Sequence, residues 1–169
     1  MAWAVAVSGQ EGPVALAVTR VLLIRHADAG DKSQWTGDDR DRPLSVTGRA
    51  QADGLVDALE THPLGHLLTS GYARCAQTLA PMATRRRMHL EEVAWLEEGA
   101  DAAEVLGTLI AAGDVAACTH GDVVSGILFE LADRSVALGP SPRMQKGSTW
   151  VLEVEDQQVK FARYLPPPI

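Results

Sequence analysis

The sequence predicts an α/β domain: a mostly parallel sheet with helices on both faces, a three-layer sandwich. Two observations predict it. Short β-branched or apolar runs alternate along the chain with segments of helical periodicity. Several of those runs are apolar throughout, as strands covered on both faces are. The length of 169 residues suits a single domain that buries its own core.

The elements follow in order. Val18 to Ile24 is a β-branched run that ends at Arg25-His26. Ala29 to Arg42 is polar and glycine-containing, a loop. Ser45 opens a helix through Glu60, with Ala52, Leu55, Val56 and Leu59 at helical spacing, and His62-Pro63 ends it. His66 to Thr69 is a short strand, followed by Ser70 as N-cap of a helix from Tyr72 to Arg86 that contains Pro81. Met88 to Leu96 is strand-like, and Asp101 caps a helix that stops at Gly113. Val115 to Thr119 is a buried strand, and Asp122 to Asp133 a helix. Thr149 to Val154 and Gln158 to Tyr164 pair across Glu155-Asp156-Gln157. A single domain is expected over 18–169, with Met1–Ala17 as an N-terminal extension.

Composition narrows the function. The hydrophobic share of 46% and charged share of 22% are those of a soluble globular protein. With 22 acidic against 15 basic side chains the net charge is -7, so neither nucleic acid nor a membrane surface is an expected partner. Any anion site must be local. Cys75 and Cys118 are too few for a disulfide framework. They read as buried fillers in a protein of the reducing cytoplasm. Met1 to Val7 lacks the basic start of a secretory signal, and no run approaches the ~20 apolar residues of a membrane span.

In open α/β sheets, ligands bind beyond the carboxyl ends of the strands. Arg25 and His26 follow the first strand, and Arg74 lies in the first helical turn after the second. Glu97 and Glu98 follow the third, and His120-Gly121 the fourth. An acidic chain has thus gathered its cations where such folds hold ligands. Two arginine forks match phosphate oxygens and keep their charge. Helix starts at Gly71–Ala73 and Gly121–Val123 add backbone donors. A histidine among them can be a base, a nucleophile or a ligand, and neighbouring cations keep it neutral.

These residues carry a resemblance. Leu22-Leu23-Ile24-Arg25-His26-Ala27, Thr69-Ser70-Gly71-Tyr72-Ala73-Arg74-Cys75-Ala76-Gln77-Thr78 and Thr119-His120-Gly121 resemble, in order, three signatures of the histidine phosphatase superfamily. Arg42-Pro43-Leu44-Ser45 with Gly48-Arg49-Ala50-Gln51-Ala52 resembles its small SixA-type phosphohistidine phosphatases. The resemblance implies a phosphoglycerate mutase-like fold. It also implies a mechanism in which His26 takes the phosphoryl group as a phosphohistidine that water then hydrolyses. Arg25, Arg74 and His120 would hold the phosphoryl oxygens, with Gly121 and Ser33 as further phosphate contacts. No metal or other cofactor is expected, because arginine and histidine supply the charge. Glu98 matches the proton donor of larger members, with Glu97 beside it as a competitor and a solvated strand end as the plain alternative.

Other residues read as structural. His62 and His66 are four apart, but Pro63 and Gly65 argue against the helix a metal pair needs. His89 reads as a surface residue, Trp35 as packing or a pocket wall, and Asp28, Asp38, Asp39 and Asp41 as solvated. Only one helix separates Glu98 from His120, where the mutases carry a long insertion, so an open pocket favouring hydrolysis over transfer is expected. The expected partner is a phosphorylated protein, phosphohistidine above all, or a small phosphometabolite or nucleotide. A non-enzymatic phospho-ligand module is the alternative from another class.

Overall fold

The computed structural model describes residues 17–169. The extension expected at Met1–Ala17 lies, apart from Ala17, outside the described residues. The order is β1 (Thr19–Arg25), α1 (Val46–Ala58), β2 (His66–Thr69), α2 (Ala73–Arg86), β3 (Leu90–Glu92), α3 (Ala102–Ala112), β4 (Val115–Thr119), α4 (Gly121–Asp133), β5 (Thr149–Glu155) and β6 (Gln158–Leu165). Short 3-10 turns lie at Lys32–Gln34, Asp39–Asp41 and Ala94–Leu96.

One six-stranded sheet runs β3-β2-β4-β1-β5-β6. β3, β2, β4 and β1 are parallel, and β5 and β6 are antiparallel additions at one side. The chain moves one way through β1, β2 and β3, then reverses to β4. Right-handed crossovers put helices of opposite moves on opposite faces. The packing agrees. Leu22 and Ile24 of β1 meet α1 and α2 through Leu55, Leu59, Leu79 and Met82. Val21 and Leu23 meet α3 and α4 through Leu106, Leu109, Ile127 and Leu131. That two-sided burial is why β1 and β4 read as continuous apolar runs.

The caps at α1 and α3 form as expected. Ser45 Oγ accepts from Gly48 N at 3.0 Å, and Asp101 Oδ1 accepts from Glu104 N at 3.0 Å. The β5–β6 turn has Asp156 and Gln157 both at positive φ, the hairpin geometry that matches strand twist. α2 runs through Pro81 without ending.

Two local expectations change. Met88 to Leu96 is not one strand: after Val93 N bonds Thr69 O at 2.8 Å, the chain turns to bury Leu96 completely. Ser70 does not cap α2; Tyr72 holds that position with no side-chain bond. The Ser70 hydroxyl meets the buried His120 imidazole at 2.8 Å, a group that needs a partner, and accepts only a longer bond of 3.3 Å from Tyr72 N.

Candidate active site

Strand register levels the site. Ile24 pairs with Cys118, Arg25 with Thr119, and Thr69 with Cys118. The residues that follow, His26, Ser70 and His120, therefore emerge side by side at the carboxyl edge. The His26 and His120 rings lie 5.5 Å apart, edge to face.

His26 is 6% exposed. Its Nδ1 lies 2.8 Å from Ala27 O. A carbonyl oxygen only accepts, so Nδ1 carries the hydrogen and Nε2 keeps the lone pair. Burial lowers the His26 pKa to about 3, with Arg74, His120 and Arg25 pushing the same way against the Ala27 bond. The expected neutrality holds, but burial rather than neighbouring cations is its main cause. Two backbone N–H groups fix the ring's base: His26 N donates to Thr119 O at 3.0 Å, and Ala27 N to the Thr78 Oγ1 hydroxyl at 2.9 Å. Thr78 in turn donates to Arg74 O at 2.6 Å, tying the two signature segments together.

The cations surround this ring. Arg25 is half-buried and donates from Nη1 to Met144 O at 2.8 Å, while its Nε has no partner. Its guanidinium packs on Gly121, where a Cβ would stand 3.0 Å from Cζ. The glycine after His120 is thus the space for the arginine before His26. Arg74 is 1% exposed, donating to Asp39 O at 2.8 Å, Asp39 Oδ2 at 3.1 Å and Glu98 Oε1 at 2.7 Å. Its guanidinium stacks over Tyr72 at 4.7 Å. His120 Nε2 meets Ser70 Oγ at 2.8 Å, and its Nδ1 lies 3.4 Å from Glu98 Oε1.

Glu97 and Glu98 point different ways. Glu97 makes a two-pronged pair with Arg40, at 2.9 and 3.0 Å. Glu98 turns to Arg74 and His120. Its segment is pinned on both sides: Thr119 Oγ1 donates to Leu96 O at 2.6 Å, and Gly99 N donates to Asp122 Oδ2 at 2.7 Å. One cleft of about 660 Å³ is lined by Arg25, His26, Arg74, Glu98 and Gly121, with Arg42, Asp122, Ser125, Met144 and Lys146 around them. Ser33 is not in that lining; it sits in an exposed 3-10 turn held to Asp31.

Several residues of the site were not legible in advance. Asp39, expected to be solvated, bonds Arg42 Nε at 2.9 Å as well as Arg74. Burial opposes its ionisation, yet Arg42 and Arg74 hold its carboxyl below the usual range. Asp28, also expected to be solvated, accepts from Ser45 Oγ at 2.6 Å and Lys146 Nζ at 3.4 Å. That Ser45 bond, more than any other contact, lowers its pKa. Gly48 permits this approach, since a Cβ there would collide with Asp28 O. Met144 and Lys146 reach the cleft because β5 is antiparallel, so its start, not its end, lies at the carboxyl edge. Both cysteines are buried in the core, as expected.

Comparison with known proteins places this chain in a family. Residues 21–100 match the histidine phosphatase superfamily (branch 1). An 8-oxo-(d)GTP phosphatase of Mycolicibacterium smegmatis is 36% identical over 155 residues, 88% of this chain and 48% of that protein. The chain thus spans about half the length of that curated relative. A SixA-type protein of Agrobacterium tumefaciens is 27% identical at a TM-score of 0.70, covering 88% of this chain and 99% of that one. The protein histidine phosphatase SixA complexed with tungstate shares the fold at a TM-score of 0.69 and 19% identity, over 86% of this chain and 94% of that one. The ordered motifs, their meeting at one sheet edge and these matches agree: the chain belongs to the histidine phosphatase superfamily, in its small SixA-like form.

Proposed function

We propose that this chain is a phosphatase that works through a phosphohistidine on His26. One observation carries the reading: the buried His26 ring donates from Nδ1 to Ala27 O, leaving a neutral Nε2 in a cleft lined by Arg25 and Arg74. The Nε2 lone pair attacks phosphorus in line as the bond to the leaving oxygen breaks. Arg25, Arg74 and His120 meet the charge on the equatorial oxygens, with Gly121 giving Arg25 its place. Glu98 gives a proton to the leaving oxygen. It then takes one from the water that hydrolyses the intermediate, which restores His26. The guanidinium groups supply the positive charge this step needs, without a call on metal. Ser33, in an exposed turn held to Asp31, has no part in this scheme, whereas the His120 ring lies 5.5 Å from that of His26.

The substrate class favoured is a small phosphorylated nucleotide. The support is the 36% identity to a protein named for 8-oxo-(d)GTP, with cations in the cleft beyond those a single phosphoryl group needs. A phosphohistidine borne on a protein is the second reading, supported by the SixA-like fold.

The test is brief incubation with a radiolabelled generic phosphomonoester, followed by acid or alkaline quench. The expected product is a phosphoprotein that is acid-labile, alkali-stable and absent from His26→Ala. Turnover with an undiminished rate in His26→Ala refutes the mechanism.

A further inference from the structure

We propose that Lys146, a half-exposed side chain lining the cleft, forms a second anion subsite that holds the neighbouring phosphate of a phosphoanhydride. The substrate class it selects is a diphosphate or triphosphate ester rather than a lone monoester. The inference rests on the phosphoryl pocket proposed above.

A transferring phosphoryl group presents three equatorial oxygens, and Arg25, Arg74 and His120 already answer them. Lys146 is left over, yet its backbone is fixed beside the nucleophile. Gly147 N donates to both Arg25 O and His26 O at 3.1 Å, and Gly147 holds a φ of +81°. The Lys146 side chain lines the same cleft as His26. It pairs with Asp28 Oδ1 at 3.4 Å, with the two side chains 37% and 31% exposed. A pair so long and so wet is weak. Asp28 does not depend on it, because Ser45 Oγ and Gly30 N also bond that carboxylate. Lys146 can therefore exchange Asp28 for a phosphate at little cost. Arg42, the other extra cation, is not free in this way: it is 8% exposed and committed to Asp39 and Ala29 O.

Position matches the chemistry. In-line attack sends the leaving group away from His26 Nε2, into the rest of the cleft. Glu98 and Asp122 line the same cleft and repel an anionic chain, which leaves Lys146 as the cation free to receive it. When the leaving group is itself a phosphate, the Nε2–P bond forms as the bridging P–O bond breaks. The electron pair stays on the departing phosphate. With a second pKa near ~6, that group leaves as an anion and needs no proton. Lys146 meets this charge, and water releases the transferred phosphate from His26 in the second step.

The test is calorimetric titration of the full chain with orthophosphate and with imidodiphosphate, a pyrophosphate analogue that resists hydrolysis, at one pH and ionic strength. The wild-type protein is expected to prefer imidodiphosphate by about tenfold, the scale of one hydrogen bond to a charged group. Lys146→Met should bring that ratio close to one, and Lys146→Arg should keep it. Equal affinity of the wild type for both anions, or equal weakening of both by Lys146→Met, overturns the subsite and leaves the phosphoryl pocket standing. Failure of the wild type to bind either anion removes the pocket and the subsite together. Thermal melts check that each variant folds, and Lys146→Gln replaces any that does not.

Discussion

Replacing Glu98 by glutamine should move catalysis and anion binding in opposite directions. Glu98 Oε1 lies 2.7 Å from Arg74 Nη2 and 3.4 Å from His120 Nδ1, two groups that the phosphoryl oxygens are proposed to occupy. In the ligand-free protein the carboxylate therefore competes with phosphate for the same donors. The Glu98 side chain is 41% exposed, so its pairing is solvent-screened and of order 1 kcal/mol. Glutamine keeps the shape, and its oxygen can still accept from Arg74, but the charge is gone. Orthophosphate should then bind up to about fivefold more tightly. A glutamine cannot shuttle a proton, and general acid catalysis contributes ~10²–10⁴ to such steps. Hydrolysis of an alkyl phosphate should fall by that factor, whereas 4-nitrophenyl phosphate, whose leaving group needs no proton, should lose less than about tenfold. The assay is kcat/KM on both esters, with orthophosphate as competitive inhibitor. Equal losses on both esters would mean that Glu98 only braces Arg74. No loss on either removes it from the mechanism, and weaker phosphate inhibition refutes the competition.

Three further perturbations probe the scaffold. Gly121→Ala puts a Cβ 3.0–3.1 Å from the Arg25 guanidinium, which must shift by a few tenths of an ångström. Since a ~1 Å misplacement costs ~10²-fold, kcat/KM should drop about tenfold with little change in melting temperature. Thr78→Val leaves the Ala27 N–H without its acceptor in a buried setting and should destabilise the fold by ~1–3 kcal/mol in urea titrations. The pH dependence of stability should carry a His26 component. Its folded pKa of about 3 lies below the ordinary 6.5, so the unfolded chain binds the extra proton between those values. The stability it contributes is full above pH ~6.5 and is lost as pH falls toward 3, with a slope of ~1.4 kcal/mol per pH unit. Urea titrations of wild type and His26→Asn from pH 7 to 5 should show a shallower slope in the variant.

Much of this was legible because it is local. Continuous apolar runs at Val21–Ile24 and Val115–Cys118 marked strands covered on both faces, and the residues just beyond them, Arg25, His26 and His120, had to surface at one edge. Ser45 and Asp101 announced helix starts through a bond to their own third neighbour. The sequence by itself thus determined the α/β class, most elements and four residues that line the cleft, Arg25, His26, Arg74 and Gly121, with Glu98 as a candidate. What tertiary structure alone decided involves partners distant in the chain. Glu97 and Glu98 are adjacent and chemically alike; Arg40, 57 residues earlier, takes the first and Arg74 receives the second. Asp39 became half-buried because two arginines met it. Lys146 entered the cleft through the antiparallel direction of β5, which no local pattern encodes. Periodicity and capping act within a few residues, whereas charge pairing and strand direction are settled only when the chain closes on itself.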